Sequence, residues 1–178
     1  MLKTRFDSEK ALEAVLYVAS KAPNPQLYWV GKILYFADRK HLEQYGRLIT
    51  GDHYCAMEFG PVASCTYDML KFARKDEGQK LPSGATPDKI LTSLQVKPEG
   101  KYDKVTSLRE PNLDFLSKSD IDCINASIEE FGEMSFGQLC DVSHDNVWMS
   151  VGRNAEIPLE NIAINCKDGE KLVRYLQG

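Results

Sequence analysis

Between Pro25 and Gly46 the apolar residues Leu27, Val30, Leu34 and Ala37 recur in steps of three, four and three, and Ile33 and Phe36 widen the stripe. This spacing places them on one side of a helix, and a stripe that wide has to be buried against other elements. Asn24 is expected to cap the helix, and Pro25 suits its first turn, where no intrahelical N–H is needed. Gly46 supplies the left-handed residue that commonly ends a helix. A helix of this length at the centre of the core commits the chain to helical packing.

The neighbouring segments follow the same logic. Ala11, Leu12, Val15, Leu16 and Ala19 form a helical stripe over Ser8–Ser20, with Ser8 as the expected N-cap. A third helix is expected to open at Gly60-Pro61 and run to about Lys75, with Val62, Cys65, Met69 and Phe72 on one face. Residues 76–89 are rich in turn formers and read as a mobile loop. A hairpin follows: Ile90–Val96, a turn at Lys97-Pro98-Glu99-Gly100, and Tyr102–Leu108. Helical texture returns at Ser117 and stops at Gly132, and Ser135-Phe136-Gly137-Gln138 is a capping-box start for a helix through Val142. Ile157–Ile164 reads as a loop or strand, and Glu170–Leu176 as a terminal helix. The expected fold class is α+β: a mostly α-helical single domain over residues 1–178 with a small antiparallel β-hairpin. A hairpin after helices also gives winged-helix-like elements, which say little about function.

Composition narrows the function classes. With 178 residues, 43% of them hydrophobic and 27% charged, the chain is sized for one core. No apolar run approaches a membrane span, and Met1–Asp7 has a basic start without the apolar stretch of a leader. The five cysteines (Cys55, Cys65, Cys123, Cys140, Cys166) are scattered and never spaced CxxC, which suits reduced thiols and a cytoplasmic location. Residues 1–109 carry 17 Lys/Arg against 13 Asp/Glu, a net +4, and residues 110–178 carry 5 against 13, a net −8. Such polarity suits a charged protein partner, and the overall acidic balance argues against nucleic acid.

No residue pattern marks a catalytic centre. His41, His53, Cys55 and Asp52 are metal-ligand types, and Asp38 and His41 share a helix face, but there is no HExxH and no pair of ligand-spaced motifs. A metal-dependent hydrolase using Asp38, His41, Asp52 and His53 is therefore the weaker alternative. There is no GxSxG, GxGxxG or P-loop. Neither enzyme activity nor a cofactor is expected. His144 and Trp148, one turn apart, are either a recognition cluster or a Trp closing the core beside a hydrogen-bonded His.

The densest stretch runs from Lys32 to Asp68, where an aromatic- and charge-rich helix feeds a glycine-punctuated loop that returns to another helix. Loops of this kind present binding groups on a rigid scaffold. Tyr35, Asp38, Arg39, His41, Tyr45, Arg47, Asp52 and Tyr54 are the candidate partner-binding residues. The alternative for Tyr35 and Tyr54 is a half-buried core position with a satisfied hydroxyl.

The segment KILYFADRKHLEQYGRLITGDHYCAMEFGPV, followed by Tyr67-Asp68, closely resembles the signature of the Panacea domain, the SocA-like antitoxin family. Lys32, Tyr35, Phe36, Asp38, His41, Tyr45, Gly46, Gly51, Asp52, Tyr54, Gly60 and Pro61 all fit it. The resemblance divides the chain into a signature at 32–68, a variable loop and hairpin at 76–108, and a C-terminal helical part at 117–178. It implies an antitoxin of a type II toxin–antitoxin system, encoded beside its toxin and often carried by phages or other mobile elements. Such a protein neutralises its cognate toxin by direct binding. One relative is described as a proteolytic adaptor, which implies a Clp-type protease as an alternative partner. Self-association into a homo-oligomer is left open.

Overall fold

The computed structural model describes residues 4–178; Met1, Leu2 and Lys3, at the start of the segment read for a leader, lie outside the described residues. The order is α1 (Ser8–Lys21), α2 (Leu27–Tyr45), β1 (Tyr54–Met57), β2 (Gly60–Ala63), α3 (Ser64–Arg74), α4 (Pro87–Ser93), β3 (Leu94–Glu99), β4 (Tyr102–Ser107), α5 (Lys118–Phe131), α6 (Phe136–Ser143), α7 (Asn146–Met149), β5 (Glu156–Ile157), α8 (Leu159–Ile164) and α9 (Gly169–Gln177). The chain is 54% helical with small antiparallel strand pairs, the mostly helical α+β domain that its patterning predicts. No described helix is long and apolar enough to cross a membrane.

The α2 helix is the axis of the core. Trp29, Val30, Ile33, Leu34, Tyr35, Phe36 and Ala37 are all buried. It packs on α5 through Phe36 and Phe131, whose rings stack at 3.9 Å, and the Ser127 hydroxyl donates to the Ile33 carbonyl at 2.7 Å. The helix ends as its sequence predicts, with Gly46 at φ 69° and its N–H returned to the Leu42 carbonyl.

Its start differs from expectation. Gln26, not Asn24, is the N-cap, and helix geometry begins at Leu27. The Pro25 carbonyl accepts from the Val105 N–H at 2.8 Å, and Gln26 bridges to Lys104, so the β3–β4 hairpin holds these residues extended. Likewise Asp7, not Ser8, caps α1, accepting from the Lys10 N–H at 3.0 Å, while Ser8 is buried.

Gly60-Pro61 does not open a helix. Gly60–Ala63 is an edge strand in the order β2-β1-β5, paired with β1 from Tyr54↔Ala63 to Met57↔Gly60. An edge strand tolerates proline, which lacks the ladder's N–H. Helix α3 begins at Ser64 instead. The expected strand Ile90–Val96 also begins late, because Pro87 initiates α4 and the chain becomes extended only at Leu94. In the tail, the stretch 157–164, expected as a loop or strand, ends the two-residue β5 at Ile157 and then forms α8. The α5 and α6 starts match expectation, each with a reciprocal capping box, from Ser117 with Asp120 and from Ser135 with Gln138.

Candidate partner-binding site

The signature loop between α2 and β1 is held from beneath by carboxylates. Asp38, on the inner face of α2, accepts from the Ile49 N–H at 2.6 Å and from the Tyr54 hydroxyl at 2.7 Å. Burial pushes its carboxyl up to about 6, against the pull of those two donors. Asp52 accepts four bonds: the His53 and Cys65 N–H groups on one oxygen, at 2.8 and 3.0 Å, and the Thr66 N–H and hydroxyl on the other, both at 2.8 Å. It therefore satisfies the first turn of α3 from twelve residues upstream, where no local residue does.

His41 is fully buried, one ring nitrogen 2.9 Å from the Arg47 carbonyl and the other 3.1 Å from Asp120 and 3.0 Å from the Ser119 hydroxyl. Burial pushes the Asp120 carboxyl up, but His41, Lys10 and Ser117 outweigh it and hold the group well below the usual carboxylate range. Arg47 reaches the same carboxylate at 3.0 Å, so Asp120 ties α1, α2, α5 and the signature loop together.

Five of the eight residues expected to bind a partner, Tyr35, Asp38, His41, Asp52 and Tyr54, are thus buried, and the polar groups of the last four bond within the chain. In this conformation they shape the loop rather than present themselves. The half-buried alternative for Tyr35 and Tyr54 understates their burial, which is essentially complete for both. Arg39, Tyr45 and Arg47 reach the surface: Tyr45 is 49% exposed, and Arg39 pairs with Asp145.

The metal reading meets a physical obstacle. Asp52, His53 and Cys65 come within 4.8 Å of one another, and Cys65 rather than Cys55 is the nearby thiol. Yet the lone pairs of Asp52 are already taken by four donors, and burial together with that carboxylate pushes the Cys65 thiol up to about 12. His41 and Asp38 are committed elsewhere, so the four residues of the hydrolase alternative do not converge.

A different surface stands out. Met57, Glu58 and Phe59 form the exposed tip of the β1–β2 hairpin, with Met57 36% and Phe59 48% accessible. The Trp148 indole N–H donates to the Met57 carbonyl at 2.8 Å, and Phe59 meets Phe136 edge-on at 5.3 Å. Trp148 also lies against His144 at 4.1 Å, and beside it Met149 is 61% exposed. The Trp148 ring packs against the core and braces α6–α7 on β1, as the second of the two readings expects, and Met149 beside it is exposed.

Behind this hairpin lies a groove of about 310 Å³ between α2 and α3, lined by Gly31, Lys32, Leu34, Phe59, Val62 and Leu70 among others. Lys32 is only 2% exposed and donates to the Pro61 carbonyl at 2.8 Å. Burial pulls its ammonium down to about 7. Sequence reasoning assigned Lys32 to the signature but not to a site. The available signal was a lysine standing one turn from Tyr28, Tyr35 and Phe36 on a helix otherwise buried there.

A family model described as "Antitoxin SocA-like, Panacea domain" matches residues 30–149. No curated protein and no solved structure matches the chain.

Proposed function

The chain belongs to the SocA-like antitoxin family of Panacea-domain proteins, and from that premise we propose that it neutralises a cognate protein toxin by direct binding, as the antitoxin half of a type II system. The observation that carries the proposal is the exposed apolar surface of Met57, Phe59 and Met149 beside the partly buried Trp148, which lies inside the matched residues. Aromatic and methionine side chains of this kind are enriched in the cores of protein interfaces. Arg39, Tyr45 and Arg47, the candidate residues that reach the surface, are proposed to add polar contacts to the partner. The five reduced cysteines suit action in the cytoplasm.

The test is inducible expression of the neighbouring open reading frame with and without this protein, followed by affinity co-purification. Growth arrest, rescue and a stable complex together support direct neutralisation. Rescue that depends on a Clp-type protease and leaves no complex would assign turnover instead, and absence of arrest would remove the reading. Within the complex, Phe59→Ala is expected to weaken toxin binding about 10-fold or more, the loss typical of a central aromatic anchor. Circular dichroism should show an unchanged fold. Titration calorimetry of the purified pair reads the loss, and an affinity within twofold of the parent would move the interface away from this hairpin.

A further inference from the structure

Two features of the α2–α3 groove bear on what it can hold. Gly31 sits inside helix α2, where glycine is unfavourable relative to alanine, and a Cβ placed there would meet nothing within 4 Å. No turn, packing contact or positive φ calls for glycine at this position, so what it provides is space above the helix backbone. Lys32, the next residue, also lines the groove, and its buried amine, 5.1 Å from the Tyr28 ring, has the Pro61 carbonyl as its one hydrogen-bond acceptor among the described residues, although an ammonium has three donors. A lining dominated by leucine, valine, methionine and aromatic carbon, with one buried amine, is the pattern of a small-molecule site: an apolar body and a single orienting charge.

We propose that this groove binds an unbranched medium-chain carboxylate, its alkyl chain lying over Gly31 between Leu34, Val62 and Leu70 and its carboxylate paired with Lys32. A chain of roughly eight to ten carbons suits a groove of about 310 Å³. A peptide fits less well, because it would carry backbone N–H and C=O groups into a lining with few partners for them. An alkyl chain brings no polar group except the one Lys32 can meet.

The pairing has a pH signature. Bringing an anion to Lys32 restores the charged ammonium, so binding takes up a proton and strengthens as pH falls from 8 to 6, where a carboxylate ligand stays ionised. The other titratable groups around the groove are Tyr28 on α2, Glu58 in the hairpin, Tyr67 on α3 and Cys140 on α6. Tyr28 is held well above its ordinary range by burial, and Glu58 is paired with Arg153 at 3.0 Å.

The experiment titrates the full chain with decanoate by calorimetry, in buffers of differing ionisation enthalpy, with 1-decanol as the neutral control. Saturable binding with a Kd on the order of 10–100 µM is expected, at least tenfold tighter than decanol and with net proton uptake. Lys32→Met should erase both the preference and the uptake. Gly31→Met, which fills open space and leaves the fold intact, should weaken binding at least tenfold. No saturable binding below millimolar concentration overturns the proposal, as does equal affinity for decanol. So does a groove that ignores decanoate yet whose Gly31→Met variant no longer captures the toxin, because that outcome assigns the groove to the protein partner. The titration needs no toxin, so its result stands whichever way the antitoxin test falls.

Discussion

Asp52→Ala is expected to lower stability by about 3–4 kcal/mol, read as a fall in the urea midpoint at unchanged m-value. The carboxylate is 1% exposed and accepts from the His53, Cys65 and Thr66 backbones and from the Thr66 hydroxyl. Removing it leaves four donors, most of them screened from water, with nothing to receive them. Each hydrogen bond to a charged acceptor contributes about 1.5–3 kcal/mol, and four around one group do not add fully. For a chain of this size the melting temperature should drop by roughly 10 °C. Asp52→Asn keeps one carbonyl oxygen but turns an NH₂ towards the other pair of donors, so it should recover less than half of the loss. The same measurement in chelator separates this role from metal ligation. A cap loses the same amount with or without chelator, whereas a ligand's contribution would already be absent. A loss under 1 kcal/mol would show that α3 does not depend on this carboxylate.

The Asp52 cap also marks where sequence reading stops. Helix ends encoded by adjacent residues were legible: Gly46 after α2, and the Ser117 and Ser135 capping boxes. Ends set by distant residues were not. Asp52 starts α3 from across a strand pair, so Gly60-Pro61 reads locally as a helix start while pairing as an edge strand. Pro25 likewise looks like a first-turn proline until the Val105 N–H claims its carbonyl.

The same division runs through the candidate site. The signature identified the family because it is a buried framework in which Asp38, His41, Asp52 and Tyr54 bond to one another's loop. Residue type alone made them look like contact residues. The exposed face at Phe59 and Met149 depends on how α6–α7 folds back onto β1, a long-range contact that no local pattern reports.

Lys32→Met is expected to make the protein more stable at neutral pH, by about 2 kcal/mol. The amine is nearly fully buried, and burial lowers its folded pKa from 10.5 to about 7. Between those values the unfolded chain binds more protons than the folded one, so wild-type stability rises as pH climbs from about 7 to 10 and is lowest below 7. A tenfold change in proton affinity is worth about 1.4 kcal/mol, so burying this ammonium costs several kcal/mol at neutral pH. Methionine follows nearly the same path through the core without the charge. Its loss is the hydrogen bond to the Pro61 carbonyl, about 1–2 kcal/mol, which leaves the net gain. Urea titrations at pH 6, 7, 8.5 and 10 check both parts. The variant should exceed the parent most at pH 6, and the two curves should converge towards pH 10. A variant less stable than the parent at pH 7 would mean that the amine is held for its bond to Pro61, and the groove would lose its strongest argument. A more stable variant leaves a buried charge that the fold does not need, kept at a cost in stability beside a glycine that the helix does not need either. Residues that weaken a fold where they stand are what a binding site requires and a core does not.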